Sequence, residues 1–123
     1  MATTNQQIKP IRGVIVGSSQ QTIRATCVND DGVAQDVSGY TDKTVVGVSP
    51  DGRKTVTATA SYTNPPGDGS TGLVEWSWGK TDIDRAGPWE IQIEFYKGAG
   101  GEMAKSYVGI MDVGKALRYS VAT

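Results

Sequence analysis

The chain has no histidine and a single cysteine, Cys27. Histidine-based triads, histidine metal sites, an internal disulfide and a cysteine zinc cage are therefore excluded. Leucine, the usual filler of helical cores, occurs twice in 123 residues. Twelve basic residues stand against thirteen acidic ones, for a net charge of −1. That balance creates no field that would draw in nucleic acid or an anionic membrane. The longest apolar run near the start is Val14-Ile15-Val16, far short of the ~20 residues a membrane helix needs. The first ten residues carry no apolar stretch of the kind that forms a secretory signal. Asn64 is followed by Pro65 and Pro66, and no Asn-x-Ser/Thr acceptor occurs. These absences suit a protein made in a bacterial cytoplasm.

What is present is β-branched: 13 Val, 8 Ile and 13 Thr, with 16 Gly to punctuate turns. Such side chains are stiff at the first torsion and pack well on a pleated surface. No stretch repeats apolar residues at a helical period over three turns. Seven segments read as strands instead: 11–16, 21–28, 43–49, 55–62, 72–78, 89–96 and 102–113. In the sixth, Trp89, Ile91, Ile93 and Phe95 alternate with Glu90, Gln92, Glu94 and Tyr96, the mark of a half-buried strand. Asn29-Asp-Asp-Gly32 and Ser49-Pro-Asp-Gly52 are turn signals. The pattern predicts one all-β domain of about seven strands, a sandwich or barrel. It spans 11–113, with a flexible arm over 1–10 and a tail over 114–123.

Few residues suggest chemistry. Gly109-Ile-Met-Asp-Val-Gly114-Lys115-Ala116 approaches a phosphate-binding loop, but Ala116 stands where Ser or Thr must hold magnesium, and no helix has room to follow. Asp30-Asp31 and Asp82-Ile83-Asp84 offer oxygen ligands without the spacing of a calcium loop. Glu90 and Glu94 share a strand face at ~13 Å, too far for a carboxyl pair, although Glu75 from a neighbouring strand would be a closer partner. Cys27 shares parity with Ile23 and Ala25, so it reads as a small core residue. No catalytic, cofactor or metal residue is assigned. Trp76 and Trp89 read as core; Trp78 is the candidate for stacking on a sugar. In the tail, Leu117, Tyr119 and Val121 alternate with Arg118 and Ser120, as a strand docking on a partner would.

Several runs also carry a resemblance over roughly residues 20–113. Asp36-Val-Ser-Gly-Tyr40 leads into a strand and then Ser49-Pro-Asp-Gly52. Gly72-Leu-Val-Glu-Trp76, Thr81-Asp82 and Ala86-Gly87-Pro-Trp89-Glu-Ile-Gln-Ile-Glu94 follow in order. This order resembles the immunoglobulin-like domain at the N-terminus of phage baseplate upper proteins and related small tailed-phage virion domains. The chain departs from them in carrying Trp where Tyr is more usual at two places. No fibre or receptor-binding module follows in these 123 residues, which leaves head, neck and tail open as its location. The resemblance implies an immunoglobulin-like antiparallel β-sandwich. It implies a non-enzymatic adaptor or decoration protein of the virion, without cofactor. Its partners would be other virion proteins or copies of itself, not nucleic acid or membrane. A carbohydrate- or receptor-binding module is the alternative.

Overall fold

The computed structural model describes residues 6–17, 21–64, 67–79, 81–97 and 103–115. Among them the chain is all β, in nine strands: β1 (Gln7–Ile8), β2 (Ile11–Ile15), β3 (Ile23–Val28), β4 (Asp42–Val48), β5 (Thr55–Thr59), β6 (Ser61–Tyr62), β7 (Leu73–Trp76), β8 (Gly87–Tyr96) and β9 (Met103–Gly114). They hydrogen-bond in the order β5-β4-β8-β9-β1-β3-β7-β6, with β2 added alongside β9. The sheet curls until it is nearly closed into a barrel.

The predicted strand over 55–62 is found in two pieces, because its first half pairs with β4 and its last two residues pair with β7. Only Ala60 separates β5 from β6, and its amide still donates to the Lys43 carbonyl at 2.9 Å. One bent stretch of chain thus supplies both ends of the strand order. On the opposite side, β1 lies antiparallel to β3 and parallel to β9, and β2 continues parallel to β9. The expectation of a wholly antiparallel sheet fails at these two pairings. Of the expected arm over 1–10, residues 1–5 lie outside the described residues, and the described part is not an arm. Gln7 and Ile8 form a strand, and Ile8 is 4% exposed within the core. The cause is backbone pairing: Lys9 donates to the Thr26 carbonyl and Val108 to the Gln6 carbonyl.

The alternating segments place their apolar parity inward as the sequence predicts. Trp89, Ile91, Ile93 and Phe95 on β8 are buried, as are Ile23, Ala25 and Cys27 on β3. Burial pushes the Cys27 thiol up to about 12, which keeps it protonated at neutral pH. Trp76 and Trp78 meet edge to face at 5.8 Å between centroids, and Phe95 meets Tyr107 in the same way. The indole N–H groups of Trp76 and Trp78 and the Tyr107 hydroxyl are buried without a partner among the described residues. Each such group costs about 1–3 kcal/mol of desolvation.

Two glycines hold these layers close. A side chain at Gly47, in the middle of β4, would press on Trp78 Cη2 at 3.2 Å and Val56 Cγ2 at 3.1 Å. A Cβ at Gly109 would lie 2.8 Å from both Cβ and the carbonyl oxygen of Ile8. Gly109, the first residue of the near phosphate-loop pattern, is thus mid-strand in β9, where its bare backbone admits β1.

Two outcomes follow. Trp89→Ala is expected to destabilise the fold by about 3–5 kcal/mol, the usual loss for emptying an aromatic core site. Glu94→Ala, on the outer face of the same strand, should cost about 0.5 kcal/mol or less. Denaturant titration of the two variants checks the facing, and equal losses would show it to be wrong. Gly109→Ala is expected to push β1 off β9, so the amides of Lys9 and Val108 should exchange faster in hydrogen-exchange measurements. Unchanged exchange at both would contradict the close approach.

Candidate interaction surface

Successive residues on a strand point to opposite sides, so the inward set on β8 fixes an outward set on its neighbours. Three cross-strand rows result. Thr57, Val46, Gln92, Val108 and Gln7 are paired in succession across β5, β4, β8, β9 and β1. Thr55, Val48, Glu90 and Ile110 form the next row, and Thr59, Thr44, Glu94 and Ser106 the row on the other side. This outer face carries apolar residues on β4 (Val46, Val48) and on β9 (Val108, Ile110), separated by Gln92 and Glu90 of β8. Val108 is 51% exposed and Ile110 42% exposed. With Val46, Val48, Glu90, Gln92 and Pro10 they line a shallow concavity of about 530 Å³.

Acidic residues share the face. Glu90 lies between Val48 and Ile110, while Glu94 on β8, Asp42 at the start of β4 and Asp112 near the end of β9 occupy further outward positions. No lysine or arginine does so on β4, β5, β8 or β9. Lys43 and Lys105 fall on the inward parity, each opposite Phe95. Lys43 is 9% exposed; its ammonium lies 4.2 Å from the centre of the Tyr62 ring and 3.5 Å from the Tyr40 carbonyl. Along β8, Gln92 and the Tyr96 hydroxyl both donate to Glu94. That bond to Glu94 raises the Tyr96 phenol, since deprotonation would set two negative groups side by side.

The other candidates resolve differently. Trp78 is 2% exposed. A sugar-stacking platform needs a free ring face, and this ring is enclosed between Trp76 and the backbone at Gly47, so the sugar assignment is withdrawn. Leu117, Tyr119 and Val121 lie outside the described residues. Glu75 is on β7, which is not a neighbour of β8, and it accepts from Arg24 Nε at 3.1 Å. Asp82 accepts from the Gly79 amide at 2.7 Å. Among the described residues no three histidine, cysteine, aspartate or glutamate side chains converge as a metal-holding group.

Asp84 instead belongs to an ion network that the pattern of residues does not single out, because its charged members run from Asp51 to Arg85. It receives Lys54 Nζ at 3.0 Å and Arg85 Nε at 2.8 Å, and Arg85 also reaches Asp51 at 3.0 Å. Ser49 Oγ donates to Asp51 at 2.6 Å and accepts from the Lys54 amide at 3.0 Å. The Trp89 indole donates to the Arg85 carbonyl at 2.9 Å, tying this surface network to the core. It clips the β4–β5 turn to the connection entering β8 and exposes no convergent empty site.

Searches with the sequence match no protein-family model and no curated protein.

The ion network carries a pH dependence whose sign is fixed. Hydrogen bonds from Arg85 and then Lys54 hold the Asp84 carboxyl far below its ordinary 3.8, and those from Ser49 and then the Arg53 amide lower Asp51. Their contribution is complete above the unfolded value near 3.9 and is lost as pH falls through the depressed folded values. Both groups are exposed, so the effect on stability is small. In carboxyl NMR titrations, Arg85→Ala should move the Asp84 midpoint upward, and Lys54→Ala should move it less. An unmoved midpoint in both would refute the network.

Proposed function

We propose that the chain is a non-enzymatic structural protein of a tailed-phage virion. It would be an immunoglobulin-like adaptor or decoration module made in the host bacterial cytoplasm and attached to capsid, neck or baseplate proteins. The observation that carries the reading is the strand order. Divided between β1 and β2, it reads β1-β3-β7-β6 on one side and β2-β9-β8-β4-β5 on the other. An immunoglobulin domain lettered in chain order has A-B-E-D in one sheet and G-F-C, extended by C′, in the other. Taking β1 as A, β3 as B and β4 as C brings every later strand into that order. The first strand is split between the two sides.

The resembling runs lie in the connectors and strands of this order. Asp36–Tyr40 forms the connector between the second and third lettered strands, where the Tyr62 hydroxyl donates to the Val37 carbonyl at 2.6 Å and accepts from the Tyr40 amide at 3.2 Å. Gly72–Trp76 runs into β7, and Ala86–Glu94 enters β8. The departures are physical. No second cysteine faces Cys27, and β4 carries no tryptophan, which an antibody domain has on its third lettered strand. Trp78, two residues beyond the end of β7, packs over Gly47.

A fold supports many functions, so the virion assignment needs its own test. Quantitative mass spectrometry of purified particles from cells encoding the chain should find it in a fixed copy number per particle. Its absence from the particles, with the chain abundant in the lysate, would overturn the reading.

A further inference from the structure

A strand at the end of a sheet presents unpaired N–H and C=O groups, and such edges are ordinarily blunted by charge, proline, a bulge or brevity. Among the described residues β2, β5 and β6 each pair with a single strand. β6 is two residues long. β2 is irregular between Ile11 and Val14, and Gln21 donates to the Gly13 carbonyl there at 3.0 Å. β5 has neither protection. Thr55-Val-Thr-Ala-Thr59 carries no charge and no proline, and it pairs with β4 at five consecutive positions without a shift. The direction of its free groups follows from the ladder. Ser49 donates to the Lys54 carbonyl and Ala60 to the Lys43 carbonyl, both at 2.9 Å. Bonded and non-bonded pairs alternate between antiparallel strands, so Val56 and Ala58 also turn their groups to β4. The amides and carbonyls of Thr55, Thr57 and Thr59 point away from it, and all three residues are exposed.

We propose that the chain forms a two-fold dimer by pairing β5 antiparallel with β5 of a second copy, Thr57 opposite the partner's Thr57. The inference concerns self-association and stands apart from the virion reading. The register follows from where the free groups lie. Centred on Thr57, the pairing sets Thr55 against the partner's Thr59 and the reverse, so all three threonines are used in about six main-chain hydrogen bonds. Threonines opposite one another across strands also favour the pairing. A slip of one residue would set free groups against groups already bonded to β4. A slip of two would call on Arg53, whose amide donates to Asp51 at 3.1 Å, or on Ser61, which pairs with Glu75 in β6 and β7.

Charge selects the same arrangement. Asp42 precedes Thr44 by two positions, and Thr44 pairs with Thr59. Arg53 precedes Thr55 by two, and Thr55 stands against the partner's Thr59. Arg53 therefore comes level with the partner's Asp42. Both residues are exposed, and neither enters an ion pair among the described residues. The partner's chain leaves β4 after Ala60, so no strand paired to β4 separates the two charges. Their backbones lie roughly 10 Å apart, two strand spacings, within the combined span of the two side chains. Parallel pairing would put the two Arg53-Lys54 ends side by side. Antiparallel pairing holds them roughly 27 Å apart along the strands, beyond the screening length. The contact is isologous and closes at two copies.

The experiment is sedimentation velocity of the full-length chain over a concentration series up to roughly 1 mM, with circular dichroism to check folding. The parent should form a dimer and nothing larger. Thr57→Lys and Thr57→Glu each set like charges against one another at the seam. Each should weaken the dimer at least tenfold and keep the parent's spectrum. Mixed in equal amounts, the two variants should dimerise again, because opposite charges then meet. If either loses its fold, Thr55→Lys with Thr59→Lys and Thr55→Glu with Thr59→Glu take their places, since those positions face each other across the seam. A parent that stays monomeric throughout the series, or that grows beyond a dimer, would overturn the proposal. So would a single variant that dimerises like the parent, or a mixture that remains monomeric.

Discussion

The backbone must satisfy its polar groups at every strand edge, and in this protein one bend carries much of that requirement. Ala60 separates the strand bonded to β4 from the strand bonded to β7. That single residue joins the two strands that end the hydrogen-bonded order. The bend brings Tyr62 beneath the connector at Val37–Tyr40, where its hydroxyl is bonded on both sides. Its ring also receives the ammonium of Lys43, which would otherwise be a costly inward charge. Closure, connector and buried cation therefore depend on the same few residues.

The second closure, through β1, depends on the absence of a side chain. Ile8 reaches the core because Gly109 leaves its backbone bare. Its neighbours then complete ladders to β3 and β9 at once. Gly47 has the matching role for Trp78. Both glycines sit in strand interiors, where they would ordinarily weaken a sheet. Here each is offset by a large apolar group that could not otherwise approach.

Where the amino-acid pattern was one-sided, it was legible. Residues 89–96 alternate without exception, and both the strand and its facing follow from that. Residues 55–62 alternate equally well, but alternation does not say which neighbour each half bonds to, so the break at Ala60 stayed hidden. Gln7-Ile8 is too short to show any period, and its order comes from partners far along the chain. The outer face was illegible for a different reason. In β9, Tyr107 and Met111 go inward while Val108 and Ile110 go outward. With apolar residues on both parities, the strand can be recognised without knowing which side it buries. The acidic side of this face emerges only when Asp42, Glu90, Glu94 and Asp112 are brought together by pairing. The Trp78 error has the same origin, since the room for its ring is made by a glycine on a strand 31 residues earlier.

The parallel pairing of β1 and β2 with β9 has a mechanical consequence. The chain enters this pairing beside Val108 and leaves it beyond Gly114, so the two ends of the domain depart in opposite directions along the same ladder. Tension between the ends is directed along the strands, across hydrogen bonds that share the load. A hairpin pulled from its open end breaks its bonds one after another. Here the bonds between Gln7–Ile15 and Val108–Gly114 must slide together, and such a geometry resists stretching far better than peeling.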